Sequence, residues 1–313
     1  MDDAELDRFK REISLQAYAK SLGYEVDKAD SWRGAVIMRR DGDKINIGIS
    51  SQTGHWIYCS YRDSLDQGTI LQFALRRRGC SLGELRIELR AWIGTVGSWR
   101  PAGDDLFRLQ RVQQDPEGVK SAWDAMAPVP PHPFLEKTRR IPTEVLRSPR
   151  FAGCVRRGPK GEAVFPHFDH GELCGFERRN WHQFKSFSAG GRKTLWTSNK
   201  FPHDDALVLF ESGIEALSYV ALFPDHDGQI RYASVGGEIG EKRQAEAIAE
   251  AILEMSDGAD IVVSMNADAA GAMHTGKLRE LFNRLPAGDR RFIEHYPRDF
   301  KDWNDQLKAK GSE

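Results

Sequence analysis

Two segments place acidic or amide groups directly after runs of apolar residues. The first is ALVLF at 206–210, followed by Glu211 and then SGIEAL, with Glu215 one helical turn later. The second is DIVVSM at 260–265, followed by Asn266-Ala267-Asp268 and the small residues Ala269, Ala270 and Gly271. Short apolar runs alternating with helix-like segments read as buried parallel strands, and ligands of open α/β sheets gather at the carboxyl ends of such strands. Carboxylates fixed at adjacent strand ends could share a hard cation such as Mg²⁺ (or Mn²⁺), with water and substrate phosphate completing its shell. The small residues after Asp268 would let the next helix begin close to the strand and to a phosphate. A single glutamate after an apolar strand is commonly no more than a favourable charge at a helix N-terminus. Two such ends, in order on one βαβ scaffold, favour the chemical reading.

A second group lies upstream. From Arg178 to Lys193 there are five basic residues (Arg178, Arg179, Lys185, Arg192 and Lys193) and no acid. Trp181, Phe184 and Phe187 are interleaved, with Trp196 just beyond. Cationic groups neutralise phosphates and aromatic faces stack on unpaired bases, so the expected partner is a single-stranded nucleic acid. The competing reading is a solvated strand face; the position just before the acidic strand ends favours binding.

These groups need elements to hold them. The helical spacing of Leu6, Phe9, Ile13, Leu15, Tyr18 and Leu22 predicts one helix over 5–22. VIMRR, KINIGIS and HWIYCSY then predict a small antiparallel sheet, and GTILQFALRRR and LGELRIELRAWIG two helices packed back on it. Residues 96–130, rich in Gly and Pro, are expected to be a linker. A β-hairpin is expected around His170-Gly171, within a β-rich basic segment at 131–205. From 206 to 313 strands and helices alternate, which predicts a parallel sheet with flanking helices. The fold class is therefore α/β, preceded over 1–95 by a small α+β module.

Composition bounds the rest. The net charge is −1 over 313 residues, so any basic surface must be local. Four scattered cysteines form no CxxC pair and predict no disulfide framework. His55 and Cys59 alone have suggestive metal spacing and lack two partners for a tetrahedral site, so zinc is not expected. No apolar run approaches the roughly 18 residues of a membrane span. The charged start MDDAELDRFKREI lacks a signal-peptide core, so a cytoplasmic protein with no membrane partner is expected.

On these residues a family resemblance becomes specific. LVLFESGIEALSY resembles the first motif of Toprim domains, in which a strand delivers a glutamate ahead of a Gly-x-x-acid-Ala-Leu helix. VVSMNADAAG resembles the second, an Asp-x-Asp-x-x-Gly turn, with Asn266 in the place of the first aspartate. An amide oxygen can still ligate Mg²⁺ but adds no charge, so metal affinity should fall. FKDWNDQL resembles the acidic element that follows in primase-type Toprim domains; its alternative reading is a helix N-cap, by Asp302 or Asn304. GEAVFPHFDHGELCGFERRN resembles the segment before the Toprim domain of bacterial replicative primases. GHWIYCSYRDSLDQGTILQF resembles a degenerate primase zinc ribbon.

The whole resembles primase-like Toprim proteins of plasmids and integrative elements. The resemblance implies Glu211 and Asp268 as catalytic, and Glu211, Asn266, Asp268, Asp302 and Asp305 as metal neighbours. Arg178, Arg179, Trp181, Lys185, Arg192 and Lys193 would bind nucleic acid. It implies Mg²⁺-dependent nucleotidyl transfer on single-stranded DNA, alongside proteins of plasmid or phage replication, mobilisation or defence. Two other functions fit the same residues: a Toprim nuclease or nickase, and a catalytically weakened nucleic-acid-binding protein.

Overall fold

The computed structural model describes residues 3–32, 34–50, 53–63, 66–95, 107, 109, 114–181, 185–224, 229–237, 239 and 242–310. The chain divides into two compact units, Met1–Gln113 and Gln114–Glu313. Among the described residues no helix is long and apolar enough to cross a membrane.

In the first unit, helices α1 (Asp3–Glu12) and α2 (Leu15–Ser21) precede strands β1 (Glu25–Trp32), β2 (Ala35–Arg40), β3 (Asp43–Ile49), β4 (Trp56–Ser60) and β5 (Gln67–Thr69). Helices α3 (Ile70–Arg78) and α4 (Leu82–Thr95) follow. The strands form an antiparallel sheet in chain order. Its apolar face (Val36, Met38, Ile45 and Ile47) packs on Ile70, Phe73, Leu85 and Leu89 of the two following helices, as expected.

One expectation needs correction here, and one strand is new. The single helix over 5–22 is broken, because Ser14 caps a new helix by accepting the Ala17 N–H at 3.3 Å. Strand β1, EVDKADSW, carries little apolar alternation and escapes sequence reading. A partly buried arginine ties the sheet to α3. Arg77 faces Asp66 at 2.6 Å and Asp43 at 2.9 Å, while Tyr58 donates to Asp66 at 2.6 Å. His55 is held by Asp7 at 2.7 Å, and Cys59 lies exposed on β4.

The second unit opens with α5 (Pro116–Asp124), β6 (Ala127–Pro128), a π-helical turn (Phe134–Thr138) and α6 (Thr143–Arg147). Strands β7 (Arg156–Arg157), β8 (Ala163–Asp169), β9 (Glu172–Arg179), β10 (Lys185–Phe187) and β11 (Trp196–Thr197) follow. The final stretch alternates β12 (Ala206–Phe210), α7 (Gly213–Leu222), β13 (Ile230–Ser234), α8 (Lys242–Leu253), β14 (Asp260–Ser264), α9 (Ala269–Asn283), β15 (Arg291–Glu294) and α10 (Trp303–Lys310).

Residues 114–130 are therefore not linker. Asp115 caps α5, Pro116 occupies its first turn, and Val119 and Trp123 pack on Val164 and Phe176. The rest of the expected linker lies largely outside the described residues. The hairpin of β8 and β9 turns at His170-Gly171, within an antiparallel sheet ordered β10-β9-β8-β7-β6.

The last sheet runs β11-β13-β12-β14-β15. Its four later strands are parallel, and β11 joins the edge antiparallel to β13. Alternate residues of β12 feed separate cores. Val208 and Phe210 meet α7 and α10, whereas Leu207 and Leu209 meet α8 and α9. All five residues of β12 are buried, which accounts for its unbroken apolar run. Phe165 and Trp196 lie in the same core as Val208 and Phe210, so the segments 131–205 and 206–313 fold around shared apolar contacts.

Candidate metal and nucleic-acid site

The register of the last sheet brings its motifs level. Phe210 of β12 pairs with Ser234 of β13 on one side and with Ser264 of β14 on the other. Glu211 therefore leaves the sheet between the Gly236-Gly237 turn and the Asn266–Asp268 turn. Each neighbouring glycine answers a steric demand. A side chain at Gly213 would strike the Phe165 ring, and one at Gly271 would strike the Asn266 backbone carbonyl. The small residues after Asp268 thus serve first to let α9 start against its own strand.

Glu211 is partly buried, and its Oε2 has no hydrogen bond among the described residues. Burial pushes its carboxyl above the usual range and Asp268 adds to this, while Lys185, Arg179 and Lys301 oppose it. Asp268 performs the structural task of an N-cap, accepting the Gly271 N–H at 2.9 Å through Oδ1. Its Oδ2 faces Lys301 at 3.2 Å. Asn266 stands on the same turn.

Behind Glu211 lies Glu215, buried on α7. Its Oε2 accepts the Asn304 N–H at 3.1 Å. Burial, then Asp302 and Glu211, push its carboxyl up to about 8. Asp302 is the cap of α10, accepting the Asp305 N–H at 2.8 Å, and burial raises it too. Asp302 is thus both cap and neighbour of this acidic group. Asp305 turns to Lys308 instead, at 2.6 Å.

Strand alternation divides the basic residues. Arg179 lies opposite Lys185 of β10. The Lys185 ammonium rests against Gly237 and the Lys193 side chain against Gly236; Lys185 and Arg179 act on Glu211. Arg178 projects to the other face, its guanidinium 5.2 Å from the Phe176 ring. Arg192 is bound to Asp169, which also takes Arg243. Trp181 is 43% exposed, resting against Gly161 and edge-on to Phe134 at 5.4 Å. Phe184 lies outside the described residues.

Sequence reading missed Glu177, His167, Lys301 and the Gly236-Gly237 turn. Glu177 forms an ion pair with Arg179. Period-two alternation in GFERR could have found it, since residues 177 and 179 must share a face.

The donors suit a hard cation. An orphaned carboxylate oxygen, a second carboxylate raising its pKa, and an amide on the same turn form an oxygen set of the kind Mg²⁺ takes. Among the described residues no three His, Cys, Asp or Glu side chains are gathered closely enough to hold an ion by themselves. Substrate phosphate and water would have to complete the shell.

An acidic strand end on the parallel sheet thus lies within electrostatic reach of cations from the antiparallel sheet. Residues 208–307 match the family model described as Toprim-like. Residues 133–204 match one described as a protein of unknown function, DUF3991. No curated protein matches the sequence. Among solved structures, the chain is similar to the primase fragment of the bacteriophage T7 primase-helicase, at 15% identity and a TM-score of 0.38, over 69% of this chain and 84% of that one. A DNA primase domain from Pseudomonas aeruginosa is 14% identical with a TM-score of 0.34, over 50% and 53% of the two chains. A DnaG primase catalytic domain bound to ssDNA is 13% identical with a TM-score of 0.34, over 62% and 64%. The carboxyl-terminal domain is thus Toprim-like, in keeping with the motifs around Glu211 and Asp268.

Proposed function

We propose that this chain is a primase-like Toprim enzyme that performs Mg²⁺-dependent nucleotidyl transfer on single-stranded DNA. The observation that supports the proposal is that Glu211 and Asp268 follow adjacent, in-register parallel strands, with Arg179 and Lys185 within electrostatic reach of Glu211. A bound Mg²⁺ or Mn²⁺ would supply Lewis acidity and orient the reacting phosphate. Glu211, Asn266 and Asp268 would hold it, with Asp302 behind them.

The chain's own groups supply the rest. Glu211, whose carboxyl is held above the usual range, is suited to take the proton of an attacking hydroxyl through the oxygen that does not face the cation. Arg179, Lys185 and Lys193 hold phosphate oxygens of the strand or of a nucleoside triphosphate. Trp181 offers an exposed ring face to a base.

The test is incubation of the protein with labelled single-stranded DNA, ribonucleotides and Mg²⁺ or Mn²⁺. Longer products support the proposal. Shorter products would assign the same residues to a nuclease or nickase. Binding without either product would leave a nucleic-acid-binding protein, the outcome that the uncharged Asn266 favours.

A further inference from the structure

Alternation along β9 puts Gly175, Glu177 and Arg179 on one face of its sheet. Glu177 is paired across the sheet with Phe165 of β8 on one side and Phe187 of β10 on the other. It is only 2% exposed; its Oε1 meets the Arg179 guanidinium as an ion pair, and its Oε2 has no hydrogen bond among the described residues. An ionised carboxylate in such a place is costly unless cations offset it. Burial pushes Glu177 upward, yet Arg179, Lys185, His167 and Lys193 together hold it below the usual carboxylate range.

His167 is not one of those cations at neutral pH. It is fully buried, its Nδ1 accepts the Thr194 N–H at 3.2 Å, and burial lowers it to about 4. Among the described residues, Arg179, Lys185 and Lys193 are thus the cations that act on the Glu177 carboxylate. Two of the cations, Arg179 and Lys185, also lie within electrostatic reach of Glu211. Stability does not explain the arrangement, since a buried ion pair adds little over apolar packing of similar volume. Two aromatic neighbours would accept an apolar residue at 177.

We propose that Glu177 is a positioning residue: its buried carboxylate gathers Arg179, Lys185 and Lys193 at the strand ends that carry Glu211 and aims them at a substrate phosphate. The proposal rests on the nucleic-acid reading of that site. Arg179 is the most direct relay, because a guanidinium has donors enough to face the carboxylate with one edge and a phosphate with the other.

The test is a double-mutant cycle read by fluorescence anisotropy with single-stranded DNA, with a melting curve for every variant. Glu177→Gln should weaken binding about tenfold, the order of one charge-assisted hydrogen bond, with its melting midpoint retained. Arg179→Ala should weaken binding to a similar degree. The double variant should bind within about twofold of Arg179→Ala, because the two residues act in series. Glu177→Asp, which keeps the charge, should recover part of the loss, and it replaces Glu177→Gln in the cycle if that variant does not fold. Weaker binding in Arg179→Ala with unchanged or tighter binding in Glu177→Gln overturns the proposal alone. Additive losses overturn it as well. Unchanged binding in both Arg179→Ala and Lys185→Ala overturns the nucleic-acid reading and the proposal together.

Discussion

The Asp268 carboxylate meets the Lys301 ammonium at 3.2 Å while its other oxygen caps α9. A divalent cation at Asp268 must therefore compete with a cation already built into the chain. Lys301→Met should tighten Mg²⁺ and Mn²⁺ binding, and Asn266→Asp should tighten it further by adding a charge. Binding to the folded state alone raises stability by about 2.7 kcal/mol at a hundredfold excess over Kd. Melting curves across a cation series, with calorimetry in the presence of nucleotide, should rank Asn266→Asp and Lys301→Met above the parent. No binding in any of the three would remove the metal from the account.

The division of the basic residues by β9 makes a second prediction. Replacing Arg179, Lys185 and Lys193 by alanine should flatten the salt dependence of single-stranded DNA affinity, because fewer counterions are released. Arg178→Ala should change that slope little, since its guanidinium lies over Phe176. Trp181→Ala should cost roughly 1–3 kcal/mol of affinity without altering the slope, as stacking is not an ionic contribution. Anisotropy over a salt series separates these effects. A lower melting point with unchanged affinity in Trp181→Ala would make the ring a packing residue.

Glu215 sets the pH dependence. Its folded carboxyl titrates at about 8, above the ordinary range it has in an unfolded chain. The folded state therefore binds more protons between those values, and stability from this group is full in acid and lost as pH rises through about 8. Glu215→Gln keeps the acceptor for the Asn304 N–H and removes the ionisation. In EDTA its advantage over the parent should grow from acid to pH 8 and then level off, at a size on the order of a few kcal/mol. Parallel stability curves for the two proteins would contradict this.

In the first unit, Arg77 is the group whose loss should matter most. Its removal leaves the buried Asp66 without its nearest cation, with only the Tyr58 hydroxyl and the more distant Arg76 beside it among the described residues. Breaking such a pair costs about 3–5 kcal/mol. Arg77→Ala should show that loss in denaturant unfolding of the first unit.

How much of this was legible in sequence depended on what signal each residue left. The α/β alternation after Ala206 was readable because buried parallel strands are continuous apolar runs, and ALVLF and DIVVS are such runs. The strand ends at Glu211 and Asp268 followed from it. Helix α5 was hidden by a proline-rich composition, although Pro116 sits where proline is tolerated and Val119 and Trp123 are spaced for one face. The basic run read as one surface because composition counts charges without direction. Period two sends Arg178 and Arg179 to opposite faces, and only the distant partner Asp169 shows that Arg192 is engaged. Asp302 kept both of its readings, as cap and as acidic neighbour, because the two uses employ the same position at the start of α10.

The central claim is that Glu211 does chemistry rather than architecture. The most direct measurement compares the parent with Glu211→Gln on labelled single-stranded DNA with ribonucleotides and Mn²⁺ or Mg²⁺, alongside single-stranded DNA affinity for each. We predict extended products from the parent and a loss of about a thousandfold in Glu211→Gln, the scale of a removed general base, with affinity retained. Equal product from the two proteins, or no product from the parent with either cation, would contradict the account.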